Sequence, residues 1–98
     1  MRIRIKSTPP GPAPEKAREV WVGLELETMG REDLTDKDVL IGLQDKKVLG
    51  AYKVTGQEAF SVLRKHNPNG YAWWMEYYPK LATRVVRFSA EACEEIPE

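Results

Sequence analysis

Apolar and polar positions alternate strictly at the start of the chain. Met1, Ile3 and Ile5 share one face, and Arg2, Arg4 and Lys6 share the other. A period of two predicts a half-buried strand, and its charged face and leading position suit the edge of a sheet. Residues 7–14 read Ser-Thr-Pro-Pro-Gly-Pro-Ala-Pro. Four prolines in eight positions exclude helix and ladder alike, so this stretch is predicted to be a semi-rigid, polyproline-like connector. Alternation returns from Arg18 to Glu27, with Val20, Val22, Leu24 and Leu26 on the apolar face and Glu19, Trp21, Gly23, Glu25 and Glu27 opposite. That pattern predicts a second strand, bent at Gly23.

Residues 28–38 form an acidic loop. Val39–Leu43 is a short apolar run, Gln44–Lys47 has turn composition, and Val48–Val54 returns, which together predict a hairpin. Thr55 then opens a helix over residues 55–66. Thr55-x-x-Glu58 matches a capping box, in which the hydroxyl accepts an amide of the first turn and the carboxylate reaches back to the Thr55 amide. Ala59, Phe60, Val62 and Leu63 supply the buried stripe, and Arg64-Lys65-His66 suits the C-terminal end of the helix dipole. Asn67-Pro68-Asn69-Gly70 is turn chemistry that ends it.

Residues 71–78, Tyr-Ala-Trp-Trp-Met-Glu-Tyr-Tyr, are rich enough in aromatics to favour a strand. Tyr71, Trp73, Met75 and Tyr77 would then face one way and Ala72, Trp74, Glu76 and Tyr78 the other, although helical spacing also groups Tyr71, Trp74, Met75 and Tyr78. Pro79-Lys80 is a turn. Ala82–Phe88 is a strand with Val86 and Phe88 inside, and Ser89 caps a last short helix. The resulting expectation is a single domain over residues 1–98, mainly antiparallel β with one inserted helix, closed as a small bent sheet or open barrel of SH3-like size. The alternative is an α+β fold, an open antiparallel sheet with the helix on one face.

Composition bounds the function. With 42% apolar and 31% charged residues the chain can bury one core. Fifteen basic and fifteen acidic residues cancel, which disfavours a dedicated duplex binder, since phosphate neutralisation supplies most of such a protein's affinity. The charge is nonetheless blocked: +4 over residues 1–18, −5 over 19–38, +5 over 39–88 and −4 over 89–98. Cys93 is the one cysteine, so no internal disulfide forms. No secretory signal or membrane span is legible, and a cytoplasmic location is expected.

No catalytic set stands out. His66 lacks a signalled nucleophile or orienting partner. Cys93 is flanked by Glu91, Glu94 and Glu95, which work against a thiolate, so it reads as a small buried residue. One histidine and one cysteine cannot build a structural zinc site, and the acidic loop Asp33–Asp38 lacks the EF-hand order. Phosphate-cradling glycine runs and nucleophile elbows are absent. No cofactor is expected.

The aromatic segment carries the functional expectation. If Trp73, Met75 and Tyr77 point inward, Trp74 and Tyr78 point outward, where Trp21 joins them and Lys80, Arg84 and Arg87 form a basic rim. Adjacent Trp73-Trp74 after an acidic loop resembles SH3 peptide-binding domains. The tyrosine motif before the loop and the closing Asn-Tyr motif of that family are missing, and a helix sits where a short loop belongs. The resemblance therefore implies only a mechanism, an aromatic groove that grips proline-rich ligands. Pro9-Pro10-Gly11-Pro12 of this same chain fits that description of a ligand. The expected function is a non-catalytic module binding a protein or peptide. The alternative is a single-stranded nucleic-acid accessory using the same face, and a small enzyme with Glu76 as acid–base carboxylate is a third class.

Overall fold

A computed structural model describes residues 1–11, 13–32 and 50–97. The expected strand Val39–Leu43, the turn Gln44–Lys47 and the acidic residues 33–38 lie outside them.

The first strand forms as its alternation requires. β1 (Arg2–Ile5) buries Ile3 and Ile5 and exposes Arg2 and Arg4. It is not an edge strand, however. It lies in the middle of a three-stranded antiparallel sheet, between β2 (Glu25–Glu27) and β6 (Cys93–Ile96). The reason is electrostatic as well as apolar, because both neighbours present carboxylates to its arginines. Arg4 lies opposite Glu25 on one side and Glu94 on the other, at 3.2 and 3.1 Å. Those two carboxylates, Glu25 foremost, raise the Arg4 pKa above its ordinary value. The basic first block of the chain is thus matched by the acidic blocks on either side.

A second antiparallel sheet has the order β3 (Gly30–Glu32), β4 (Ala51–Thr55), β5 (Val85–Ser89). Tyr52 opposes Phe88 and Val54 opposes Val86, and all four are buried. Among the described residues the chain passes between the sheets twice, from β2 to β3 and from β5 to β6. At the first passage the Thr28 hydroxyl donates to the Lys53 carbonyl at 2.7 Å and accepts from the Gly30 amide at 3.0 Å, which pins the corner. Among the described residues these are open sheets and not a closed barrel, and the architecture is α+β.

Two of the expected strands are otherwise arranged. Residues 18–24 do not alternate in space. Glu15–Glu19 is a short helix, α1, and a turn follows in which Trp21, Val22 and Leu24 donate to the carbonyls three residues back. Gly23, at φ +90°, redirects the chain into β2 and donates to the Ile5 carbonyl at 2.7 Å. This buries Trp21 completely and leaves Val22 41% exposed. One indole removes more apolar surface from water than a valine does, so the turn that aims Trp21 inward prevails over the strand that aims it outward.

Residues 71–78 are the second case. The helix α2 (Gly56–His66) starts where expected, with the Thr55 hydroxyl accepting from the Glu58 amide at 3.2 Å. Asn67-Pro68 then does more than end it. The Asn67 amide donates to the Leu63 carbonyl at 2.7 Å, and the Asn67 side chain accepts from the Gly70 amide at 2.9 Å. Asn67 therefore closes α2 and caps a new helix, α3 (Pro68–Tyr77), with proline at its first position. Trp74 is buried on α3, and Tyr71, Met75 and Tyr78 pack partly buried against the core. Helical spacing, not period two, organises the aromatics. A 3-10 helix spans Pro79–Thr83. The last predicted helix is a single 3-10 turn, Ala90–Ala92, which lacks a Ser89 side-chain cap and runs into β6, where Glu94 finds Arg4.

The capping box is half formed. The Glu58 carboxylate accepts the Glu27 amide of β2 at 2.9 Å, tying the start of α2 to the first sheet. Gly56, the first residue of α2, donates to the Arg84 carbonyl at 2.6 Å. A Cβ there would overlap the Leu81 carbonyl oxygen and lie 2.7 Å from that of Arg84. Backbone cannot yield as a side-chain tip can, so Gly56→Ala is predicted to destabilise the protein by at least about 2 kcal/mol in urea denaturation. A loss below about 0.5 kcal/mol would contradict this crossing of chains.

Candidate functional site

The aromatic residues form a column that runs from the core to the surface. Trp21 contacts Phe60, Trp74 and Phe88 at centroid distances of 5.6, 5.7 and 5.3 Å, all edge-to-face. Trp74 leads on to Trp73 at 5.3 Å and Tyr78 at 5.1 Å. Trp73 carries Tyr77 at 4.7 Å, and Tyr77 is 60% exposed. From Trp74 through Trp73 to Tyr77, the rings of α3 thus pass from inside to outside.

Of the six residues expected to form a binding face, Trp21, Trp74 and Tyr78 adjoin one another, but in and beside the core, and the three basic residues lie on other elements. Trp21 and Trp74 are buried in the core, at 0% and 1% exposure. The helix places Trp74 inward and Trp73 toward the rim, the reverse of the strand expectation. Tyr78 is half-buried beside Trp74. Lys80 and Arg84 are exposed on and just after the 3-10 helix that follows α3. Arg87 is half-buried on β5 and ion-paired with Glu32 of β3. The proline-rich connector is no free ligand either. Pro9 and Ala13 are buried, and the Arg18 guanidinium donates to their carbonyls at 3.0 and 2.8 Å.

What the fold does assemble is a groove of about 340 Å³ between α1 and α3. Pro14, Ala17 and Val20 form one wall, and Gly70, Trp73 and Trp74 the other. Lys16, Asn67 and Asn69 add polar groups. The Trp74 indole N–H crosses the base to donate to the Ala17 carbonyl at 2.8 Å. The lining is mainly apolar with few polar groups, as in ordinary ligand-binding clefts. Sequence reasoning missed this wall of α1, because residues 14–20 meet α3 only through tertiary folding. The signal that reveals α3 is Asn-Pro, a cap followed by the favoured first residue of a helix.

Comparison with protein-family models matches no family, and comparisons with curated proteins and with solved structures find no match. Among the described residues no helix is long and apolar enough to cross a membrane, and no group of three or more His, Cys, Asp or Glu side chains is placed to hold a metal ion.

Cys93 stands apart from the groove, buried on β6 opposite Ile5. Burial pushes its thiol up from 9.0 to about 12, against the smaller opposing effect of the Lys6 charge. The burial of Tyr52, chiefly, and the nearby Glu95 raise that phenol as well. A raised folded-state pKa of this kind leaves stability complete below about pH 9 and withdraws it as pH climbs toward about 12. The native thiol is predicted to react with an aromatic disulfide reagent at pH 8 at least about a hundredfold more slowly than in denaturing urea. Stoichiometric labelling of the folded protein at the unfolded rate would place Cys93 at the surface.

Proposed function

We propose that this chain is a small non-catalytic interaction module that binds a protein or peptide along the groove between α1 and α3. The supporting observation is the exposed Tyr77 ring lying against Trp73, which itself lines the groove. Rings in this arrangement offer an apolar, low-entropy platform, and aromatic residues dominate the energetics of such surfaces. The polar groups of Lys16, Asn67 and Asn69 orient a bound backbone or side chain. The proposal keeps the protein in the cytoplasm, in keeping with its one cysteine standing as a buried thiol.

A nucleic-acid accessory is the second reading, favoured by Lys80 exposed two residues beyond Tyr78. The dispersal of Lys80, Arg84 and Arg87 over different elements weighs against it, since single-strand binders align their cations along one track. An enzyme carries least weight, with Glu76 exposed on α3.

Selection from a random peptide display library is the direct test. Enriched peptides are expected to shift the backbone resonances of residues 14–20 and 69–77. Tyr77→Ala is expected to weaken them at least about tenfold without changing the far-ultraviolet dichroism. Enrichment of no peptide, or of peptides indifferent to Tyr77→Ala, would overturn the proposal. Salt-sensitive binding of a thymidine oligomer in its place would select the second reading.

A further inference from the structure

One wall of the groove is attached differently from the rest of the molecule. Residues 14–20 include no buried residue, whereas Ala13 before them and Trp21 after them are 5% and 0% exposed. The segment is a span between two fixed ends. Its helix, α1, has five residues and no side-chain cap, far below the length at which a helix sustains itself. Its amides at Ala17 and Arg18 both converge on the Pro14 carbonyl, at 2.9 and 3.1 Å. Two features hold it to α3. One is the Trp74 indole N–H on the Ala17 carbonyl. The other is Val20 packed against Gly70, so close that a Cβ on Gly70 would lie 3.0 Å from the Val20 side chain.

From this arrangement we infer that residues 14–20 are a lid, which opens as a unit about its anchors at Ala13 and Trp21 and so sets the width of the groove beside Trp73 and Trp74. Local opening follows from the balance of forces on the segment. The segment meets the core only through the partly buried Ala17 and Val20, so it has less apolar burial to lose when it lifts than the strands, whose side chains form the core. The anchors persist in the open form, because Ala13 is buried at one end and Trp21 remains among Phe60 and Phe88 at the other. Arg18 belongs to the segment, so its bonds to the Pro9 and Ala13 carbonyls are released with it. Opening breaks the Ala17–Trp74 bond, unwinds the single turn of α1 so that the Ala17 and Arg18 amides leave the Pro14 carbonyl, and bares the edge of the Trp74 ring. The lid is a property of the free protein and stands apart from what the groove binds.

Native-state hydrogen exchange on the ligand-free protein tests it. The Ala17 and Arg18 amides are expected to exchange at least about a hundredfold faster than the slowest amides of β4 and β5. Trp74→Phe keeps a ring and removes the donor. It is expected to speed Ala17 and Arg18 by a further threefold to tenfold or so, relative to β4 and β5. Gly70→Ala, which presses on Val20, is expected to act in the same direction, and it serves where Trp74→Phe does not fold. Exchange of Ala17 and Arg18 as slow as that of β4 and β5 would overturn the lid. So would variants that leave these two amides unchanged, or that speed all amides alike.

Discussion

The burial of Trp21 is the constraint on which the rest of this structure depends. Its ring meets Phe60 from α2, Trp74 from α3 and Phe88 from β5, so one side chain joins both long helices to the second sheet. Its own chain segment enters β2 and so the first sheet. Burying an indole contributes about 4–6 kcal/mol at ordinary transfer coefficients. The indole N–H has no hydrogen-bond partner among the described residues, which costs about 1–3 kcal/mol. Apolar burial exceeds that cost, and the position is held despite it. Once Trp21 is inside, Val22 must turn out, α1 must lie over Trp74, and the groove between α1 and α3 follows.

Charge plays a secondary and more local part. The neutral total conceals a basic strand, β1, set between two acidic ones, and the outer face of that sheet is ordered by Arg4 with Glu25 and Glu94. Exposed pairs of this kind contribute little to stability, about 0–1 kcal/mol each. Their effect is on register, because a slip of one residue would turn the arginines of β1 into the core and its isoleucines out. The blocks of charge along the chain thus reinforce the alignment that the buried Ile3 and Ile5 require.

What could be read from the chain divides along physical lines. Elements specified by local chemistry were legible. β1 follows from six alternating residues, though in the middle of its sheet and not at the edge, α2 from Thr55 and its stripe of Ala59, Phe60 and Leu63, and β5 from buried Val86 and Phe88, though it begins at Val85 where a strand from Ala82 was expected. Elements decided by competition for the core were not. Alternation over residues 18–27 is as regular as that of β1, yet it places Trp21 outward, and tertiary burial reversed it. The aromatic run 71–78 has strand propensity, but Asn67 and Pro68 supply a cap and a first turn that local propensity does not weigh. The candidate site was legible only as a neighbourhood. Residues 71–78 do contain its rings, but the roles of Trp73 and Trp74 are exchanged, and Lys16, Ala17 and Val20 reach it only because α1 folds back across α3.

The most direct measurement is the urea-denaturation stability of Trp21→Ala beside the unaltered protein. If Trp21 joins the helices to the sheet, the substitution removes about 3–5 kcal/mol and exposes Trp74 to a fluorescence quencher in what folded protein remains. A loss under about 1 kcal/mol, the value expected of a surface ring, with Trp74 still shielded, would contradict the account at its centre.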